Sequence, residues 1–272
     1  MSGSTGLPDY VKQLDAFHAA ADDELRACLA RLPIRSGSRL LDLAAGDGYF
    51  ARVLAESFDD ISIVAADRNE AYRDLCRDRN RAADLSDRIE IIDLDATDMD
   101  IDDDSFDYVF CGYSFRSIPQ HHAVLVQCRR VLRPGGHLIL LEADGMNSWV
   151  LPLPAKLELT LKEAERRYFA DRDQQHGWMF SRRCAELLAE HHFHLHFASA
   201  MSVDRVAPFD DATQSYLRCE FDRMLDAVAD HKPDALVDAR RYLGDAGDDA
   251  IVDRDAAYVS SLHVLFIAQP AS

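Results

Sequence analysis

Lysine is nearly missing from this chain. Of 30 basic residues among 272, 26 are arginine and 4 are lysine, and only 11 of the 48 acidic residues are glutamate. The formal net charge is −18. A surface this acidic repels phosphate backbones, so neither nucleic acid nor anionic membrane is an expected partner. Aspartate in place of glutamate fits a solvated acidic surface, or adaptation to salt, where short carboxylates hold water. No apolar run reaches the roughly 18 residues of a membrane-crossing helix, and "MSGSTGLPDYVKQ" has neither the basic start nor the apolar stretch of a signal peptide. The expected compartment is the cytoplasm. The six cysteines (Cys28, Cys76, Cys111, Cys128, Cys184, Cys219) are scattered, and no CxxC occurs. That argues against a zinc ribbon or a disulfide framework.

Apolar residues make up 48% of the chain, enough for one large α/β domain with insertions. Apolar spacing through Val11, Leu14, Phe17, Leu25 and Leu29 predicts a helix over 8–31. Short apolar strands then alternate with helices: "RLLDL", "ISIVAAD", "RIEIIDL", "FDYVFCG" and "HLILLEAD". This alternation predicts a parallel sheet covered on both faces. After Asp144 the regular pattern stops. The expected organisation is a helical cap over 1–35, a core over 36–148, a helical lid over 149–180, and the rest of the core over 181–272 with a helical insertion at 211–243.

The stretch "RLLDLAAGDGYFARVL" places Gly46 and Gly48 between a strand and a helix. Small residues there let the backbone approach a ligand, and the helix start offers free N–H groups. The dinucleotide pattern G-x-G-x-x-G lacks its third glycine, and Asp47 at the helix start repels a pyrophosphate. Asp67 ends the second strand, 19 residues after Gly48. A carboxylate at that place accepts ribose hydroxyls. Asp42 before the loop suits an ammonium group. The combination predicts a nucleoside with an amino-acid tail and no phosphates.

These residues carry a resemblance. "LLDLAAGDGYF" resembles the first motif of class I S-adenosylmethionine (SAM) methyltransferases, and "VAADRN" their second-strand acidic motif. "DLDATDMDIDDDSFDYVFCGYSFRSIP" resembles their adenine-site and fourth-strand segment, and "RVLRPGGHLILLE" their fifth-strand signature. The order and spacing match over about 36–145. Within the family the chain is similar to the ubiquinone/menaquinone C-methyltransferase-like (methyltransferase type 11) group, which often has Ala at the first glycine of the loop and an Arg at the place of Arg116. The resemblance implies a Rossmann-like, seven-stranded, mostly parallel sheet whose last strand is antiparallel. It also implies SAM as cofactor and S-adenosylhomocysteine as product. It assigns the methionine end to Asp42, Ala44, Gly46 and Gly48, and the ribose to Asp67. The adenine falls to Arg68, Asp95 and Ala96. Cys111 and Gly112 would lie under the methionine part, and Tyr10 would close over the cofactor.

Methyl transfer is an in-line displacement governed mostly by orientation, and a base is needed only when the acceptor proton must leave early. The family therefore has no universal catalytic residue. His176 and Trp178 stand in "QHGWMF" within the expected lid; the histidine is a candidate base and the tryptophan a candidate wall. Arg116 is a candidate anchor for an anionic acceptor or a structural salt bridge, and Tyr113 and Tyr168 are further substrate candidates. In "HHFHLHF", strand alternation sends Phe193, Leu195 and Phe197 to the core and His192, His194 and His196 to the other face. No fourth ligand is specified, so no metal is expected. His121 and His122 are expected to be exposed. The two helical insertions depart from the quinone-pathway pattern and point to the small-molecule branch that includes natural-product methyltransferases. The leading expectation is thus a methyltransferase for a small organic acceptor, as monomer or homodimer. A SAM-binding protein without methyl transfer, or an RNA or protein methyltransferase, are the alternatives; the acidic charge and "CGYS" in place of an Asn-Pro-Pro-Tyr-type motif argue against nucleic acid.

Overall fold

Three of the first four strands are buried along most of their length, which is why they read as near-continuous apolar runs, while the third, at the sheet edge, buries only Ile89. The four are β1 (Arg39–Leu43), β2 (Ser62–Ala66), β3 (Ile89–Ile92) and β4 (Phe106–Gly112). A computed structural model describes residues 7–118, 120–171, 179–244 and 249–271, the side chains of 7–10 excepted. The strands join β5 (Leu132–Leu151), β6 (Phe193–Val206) and β7 (Tyr258–Pro270) in one sheet of order β3-β2-β1-β4-β5-β7-β6. The sheet is mostly parallel with one antiparallel strand, the last. Register is fixed by pairs such as Leu41↔Val64, Leu41↔Val109 and Cys111↔Leu140. Strand β1 pairs with β2 on one side and β4 on the other, so the order reverses there. Ligands of open α/β sheets bind at the carboxyl ends of the strands at such a reversal.

The helices are α1 (Leu7–Leu29), α2 (Tyr49–Ser57), α3 (Glu70–Ala82), α4 (His121–Val131), α5 (Ala155–Ala170), α6 (Phe180–Glu190), α7 (Asp211–His231) and α8 (Leu236–Leu243). None of the described helices is long and apolar enough to cross a membrane. The chain divides into two compact units. One comprises Asp23–Ala143, Phe180–Met201 and His263–Ser272. Its core gathers Leu41, Val64, Val109, Leu125, Leu140, Phe180 and Phe266 from sheet and helices. The other comprises Met1–Asp22, Asp144–Met179 and Ser202–Leu262, and its core gathers Val150, Leu161, Leu217, Phe221 and Val259.

Three local expectations fail for identifiable reasons. Strand β5 does not stop at Asp144 but runs to Leu151; there Val150 is buried and Trp149 is 55% exposed, the alternation of a half-covered strand. Of Phe193, Leu195 and Phe197 on β6 only Phe193 is buried; Phe197 is 49% exposed because β6 is the edge strand. His121 is half-buried rather than exposed. It stacks on Phe115 at 5.2 Å, and its Nε2 donates to the Phe115 carbonyl at 3.0 Å.

Candidate active site

The loop after β1 is held open by left-handed backbone. Ala44 has φ +55°, Gly46 +54° and Gly48 +77°. The Ala44 carbonyl accepts from Ser114 Oγ at 3.0 Å, and the Ala45 N–H donates to the Ala66 carbonyl at 2.9 Å. The two glycines do different jobs. A Cβ on Gly46 would meet nothing within 4 Å, so this backbone borders open space. A Cβ on Gly48 would fall 2.3 Å from Cys76 Sγ, so Gly48 is needed for α2 to start close against α3. At the third position of the G-x-G-x-x-G pattern, three residues past Gly48, stands Ala51, small and wholly buried.

Asp67 leaves β2 and joins this loop. Its Oδ2 accepts the Gly46 N–H at 2.9 Å and its Oδ1 the Asn69 N–H at 2.8 Å. Two main-chain donors fix the carboxylate beside the open face of Gly46, with lone pairs left on both oxygens. Asp47 repels nothing in the loop, contrary to expectation. It is 3% exposed and ion-paired with Arg79 and with Arg52. Asp42 is 1% exposed; the Ala51 N–H donates to it, while its Oδ2 has no hydrogen-bond partner among the described residues. Burial first, then the negative charges of Asp47 and Asp67, push its carboxyl up to about 8.

Asp95 is exposed at the end of its segment. It accepts from the Thr97 N–H at 2.8 Å and the Thr97 hydroxyl at 2.7 Å, and these bonds hold its carboxyl below the usual range. Ala96 packs half-buried against the core, and Arg68 is exposed.

At the carboxyl end of β4, Cys111 is wholly buried, and burial pushes its thiol well above its ordinary value. Gly112 lies so near Phe50 that a Cβ would fall 2.5 Å from its ring. Tyr113 follows with φ +55°, an uncommon conformation for a bulky side chain. Its hydroxyl lies 2.9 Å from Nδ1 of His263, which is 2% exposed. Burial, and then the Arg116 charge, push the imidazole down to about 4, leaving it neutral at neutral pH. The Arg116 N–H donates to Glu142 Oε1 at 3.1 Å, and the guanidinium Nε stands 3.8 Å from Oε2. Glu142 is wholly buried. Burial raises its carboxyl to about 7, against the opposing pull of Arg116 and of the Phe115 and Arg116 N–H groups.

Glu142 and His263 were not singled out by sequence reasoning. Each had a signal: a carboxylate closing the apolar run "LILLE", and a histidine inside the apolar strand "LHVLFIA". Arg116 and Tyr113 therefore meet buried partners from β5 and β7. Tyr168 lies on α5 in the other unit, half-buried against that unit's own core, its ring 5.6 Å from Phe169. His176 and Trp178 lie outside the described residues, as does the side chain of Tyr10.

A family model described as a methyltransferase domain matches residues 41–140. The chain is 41% identical over 107 residues to the demethylmenaquinone methyltransferase of Clavibacter sepedonicus, a match covering 39% of this chain and 42% of that one. It is 36% identical over 135 residues to the 27-O-demethylrifamycin SV methyltransferase of Amycolatopsis mediterranei, covering 50% and 46%. The matches thus span less than half the length of these two relatives. A solved chain from Bacillus halodurans shares the fold with a TM-score of 0.58 at 20% identity, over 93% of this chain and 100% of that one. The matched segment carries the glycine loop, Asp67, Asp95 and the β4 end, and over it the chain is similar to class I SAM-dependent methyltransferases of the ubiquinone/menaquinone C-methyltransferase-like group.

Proposed function

We propose that this chain binds SAM at the β1 loop and transfers its methyl group to a small organic molecule, releasing S-adenosylhomocysteine. The observation that carries the reading is the Asp67 carboxylate, fixed by the Gly46 N–H beside a backbone face with open space. The residues present fit a nucleoside with an amino-acid tail. Asp67 keeps acceptor capacity for ribose hydroxyls. Gly46 offers close backbone approach, and Arg68, Asp95 and Ala96 would flank the base. Ala44, Gly48 and Cys111 would shape the methionine end through their backbone, and Tyr10 would cover it. Asp42 brings a buried carboxyl with an unpartnered oxygen to the same loop.

SAM supplies an electrophilic methyl group on a sulfonium. The protein's part is to orient and to exclude water, which is worth several kcal/mol without any covalent participation. Tyr113 and Arg116 are the acceptor-side candidates in this unit. The Tyr113 hydroxyl is held by buried His263, and the Arg116 main chain is anchored on buried Glu142 with its guanidinium 3.8 Å from the same carboxylate. Tyr168 and Trp178 are further acceptor candidates, and His176 is, besides Arg116, the candidate to take an acceptor proton. A small-molecule acceptor is supported by the relatives' names, a demethylmenaquinone and a demethylrifamycin enzyme. The charge of −18 supports it too, by disfavouring nucleic acid and anionic membrane. We read the protein as cytoplasmic and as a monomer or homodimer.

Isothermal titration with S-adenosylhomocysteine tests the reading. Binding in the micromolar range is expected. No binding at millimolar ligand would overturn it.

A further inference from the structure

The unit built on α5, α7 and α8 has a cavity of about 480 Å³. It is lined by Pro154 at the N-cap and Lys156, Leu157 and Thr160 in the first two turns of α5, and by the segment from His231 to Ala235 with Asp238, Arg241 and Tyr242. Its charge runs against that of the chain. The whole sequence has 48 acidic and 30 basic residues, and only 4 lysines. Two of those four, Lys156 and Lys232, face this one cavity with Arg241, against Asp234 and Asp238.

The pairing habits of the chain sharpen the contrast. Its basic side chains are commonly tied to carboxylates nearby, as Arg166 and Arg167 are to Glu163, and Arg223 is to Glu165 and Glu220. Arg241 has Asp249 on its Nε. Lys156 and Lys232 form no ion pair or side-chain hydrogen bond among the described residues. The first turn of α5 adds main-chain N–H groups that have no acceptor within the helix, and the positive end of its dipole. Thr160 supplies a hydroxyl, although that group already donates to the Lys156 carbonyl at 2.8 Å. Among the charges the same lining carries Leu157, Pro154, Pro233 and the Tyr242 ring, the last with the Arg241 guanidinium 5.8 Å from its centroid. Small-molecule sites join apolar lining to convergent polar groups, and this cavity offers both, with polar residues in the majority.

We infer that this cavity is a second ligand site, separate from the glycine loop, for a small molecule with a phosphate headgroup and a compact apolar body. Lysine ammonium groups are compact point charges suited to phosphate. The two lysines and Arg241 hold the headgroup at the α5 start, and Leu157 and Tyr242 cover the body. Asp234 and Asp238 limit the favourable charge, so the affinity is modest and sensitive to salt. The inference does not depend on the chain being a methyltransferase.

Phenyl phosphate is the probe, titrated into the full-length protein by calorimetry at low and at physiological salt. Inorganic phosphate tests the headgroup alone, and benzoate tests whether a carboxylate replaces it. Phenyl phosphate is expected to bind at high micromolar concentration, more tightly than either comparison ligand. The double substitution Lys156→Glu with Lys232→Glu should weaken it at least 10-fold, with an unchanged melting temperature. Lys12→Glu, a lysine outside the cavity, should leave it unchanged. Saturating S-adenosylhomocysteine should not compete. If the double variant melts early, Lys156→Gln with Lys232→Gln replaces it, with at least a 3-fold weakening expected. No binding at 10 mM, equal affinity in the lysine variants, tighter binding of benzoate, or displacement by S-adenosylhomocysteine would each overturn the site.

Discussion

The Gly46 N–H donates to Asp67 Oδ2 at 2.9 Å and so ties the loop after β1 to the end of β2. The bond joins the residue with an open backbone face to the carboxylate expected to take ribose hydroxyls. Asp67→Ala removes that carboxylate and leaves the Gly46 and Asn69 N–H groups without their acceptor. Losing charge-assisted bonds of this kind costs about 1.5–3 kcal/mol. S-adenosylhomocysteine should therefore bind roughly 10- to 100-fold more weakly by calorimetry. An unchanged affinity would remove Asp67 from the ribose role.

Gly46 and Gly48 should respond differently to alanine. Both have left-handed backbone, which costs an L-residue about 1–2 kcal/mol. At Gly46 a Cβ meets nothing, so Gly46→Ala should lose about that much stability and bind S-adenosylhomocysteine more weakly through the methyl on the open face. At Gly48 the Cβ collides with Cys76 Sγ at 2.3 Å. Gly48→Ala should thus lose about 3 kcal/mol or more, and Cys76→Gly in the same chain should recover part of it. Urea denaturation of the three variants measures this. Equal losses for the two single substitutions would show that the collision is absent.

How much of this was readable beforehand follows from which contacts are local. Strand β1, the glycine loop and Asp67 are set by runs of a few residues with strong patterns, and the matched motifs fall on them. The jobs of the two glycines were not readable, because Cys76 comes from a different helix. Asp47 read as a free charge, yet Arg79, some thirty residues on, neutralises it. Tyr113 and Arg116 were visible as candidates, but their partners His263 and Glu142 arrive from β7 and β5 through the sheet order. Strand β5 seemed to stop early because Gly145 and Asn147 interrupt the apolar run while the backbone stays extended.

Asp42 should make stability depend on pH. An acid pushed up holds its proton more tightly when folded than when unfolded. Between its ordinary value near 4 and about 8, the folded chain keeps a proton that the unfolded chain releases. Stability therefore falls as pH rises through that window. Asp42→Asn has no such ionisation and keeps an oxygen for the Ala51 N–H. The melting temperature of Asp42→Asn relative to the parent should rise steadily from pH 5 to pH 8. A difference independent of pH would show that Asp42 titrates as an ordinary carboxyl.

Glu142 and Arg116 should be energetically coupled. The carboxylate is wholly buried, and the Arg116 N–H and guanidinium account for much of what keeps it ionisable. Arg116→Ala leaves a buried carboxyl short of its cation, and burying an uncompensated charge is costly. Glu142→Gln removes the charge and keeps an oxygen for the Phe115 and Arg116 N–H groups. The double variant should therefore be more stable than the sum of the two single losses predicts, with a coupling of about 1–3 kcal/mol. Urea denaturation at pH 8, where more of the Glu142 carboxyl is ionised, should give the larger coupling, and pH 5.5 the smaller. Additive losses within about 0.5 kcal/mol at both pH values would show that Arg116 does not lean on Glu142. The guanidinium would then be free to turn wholly toward an acceptor.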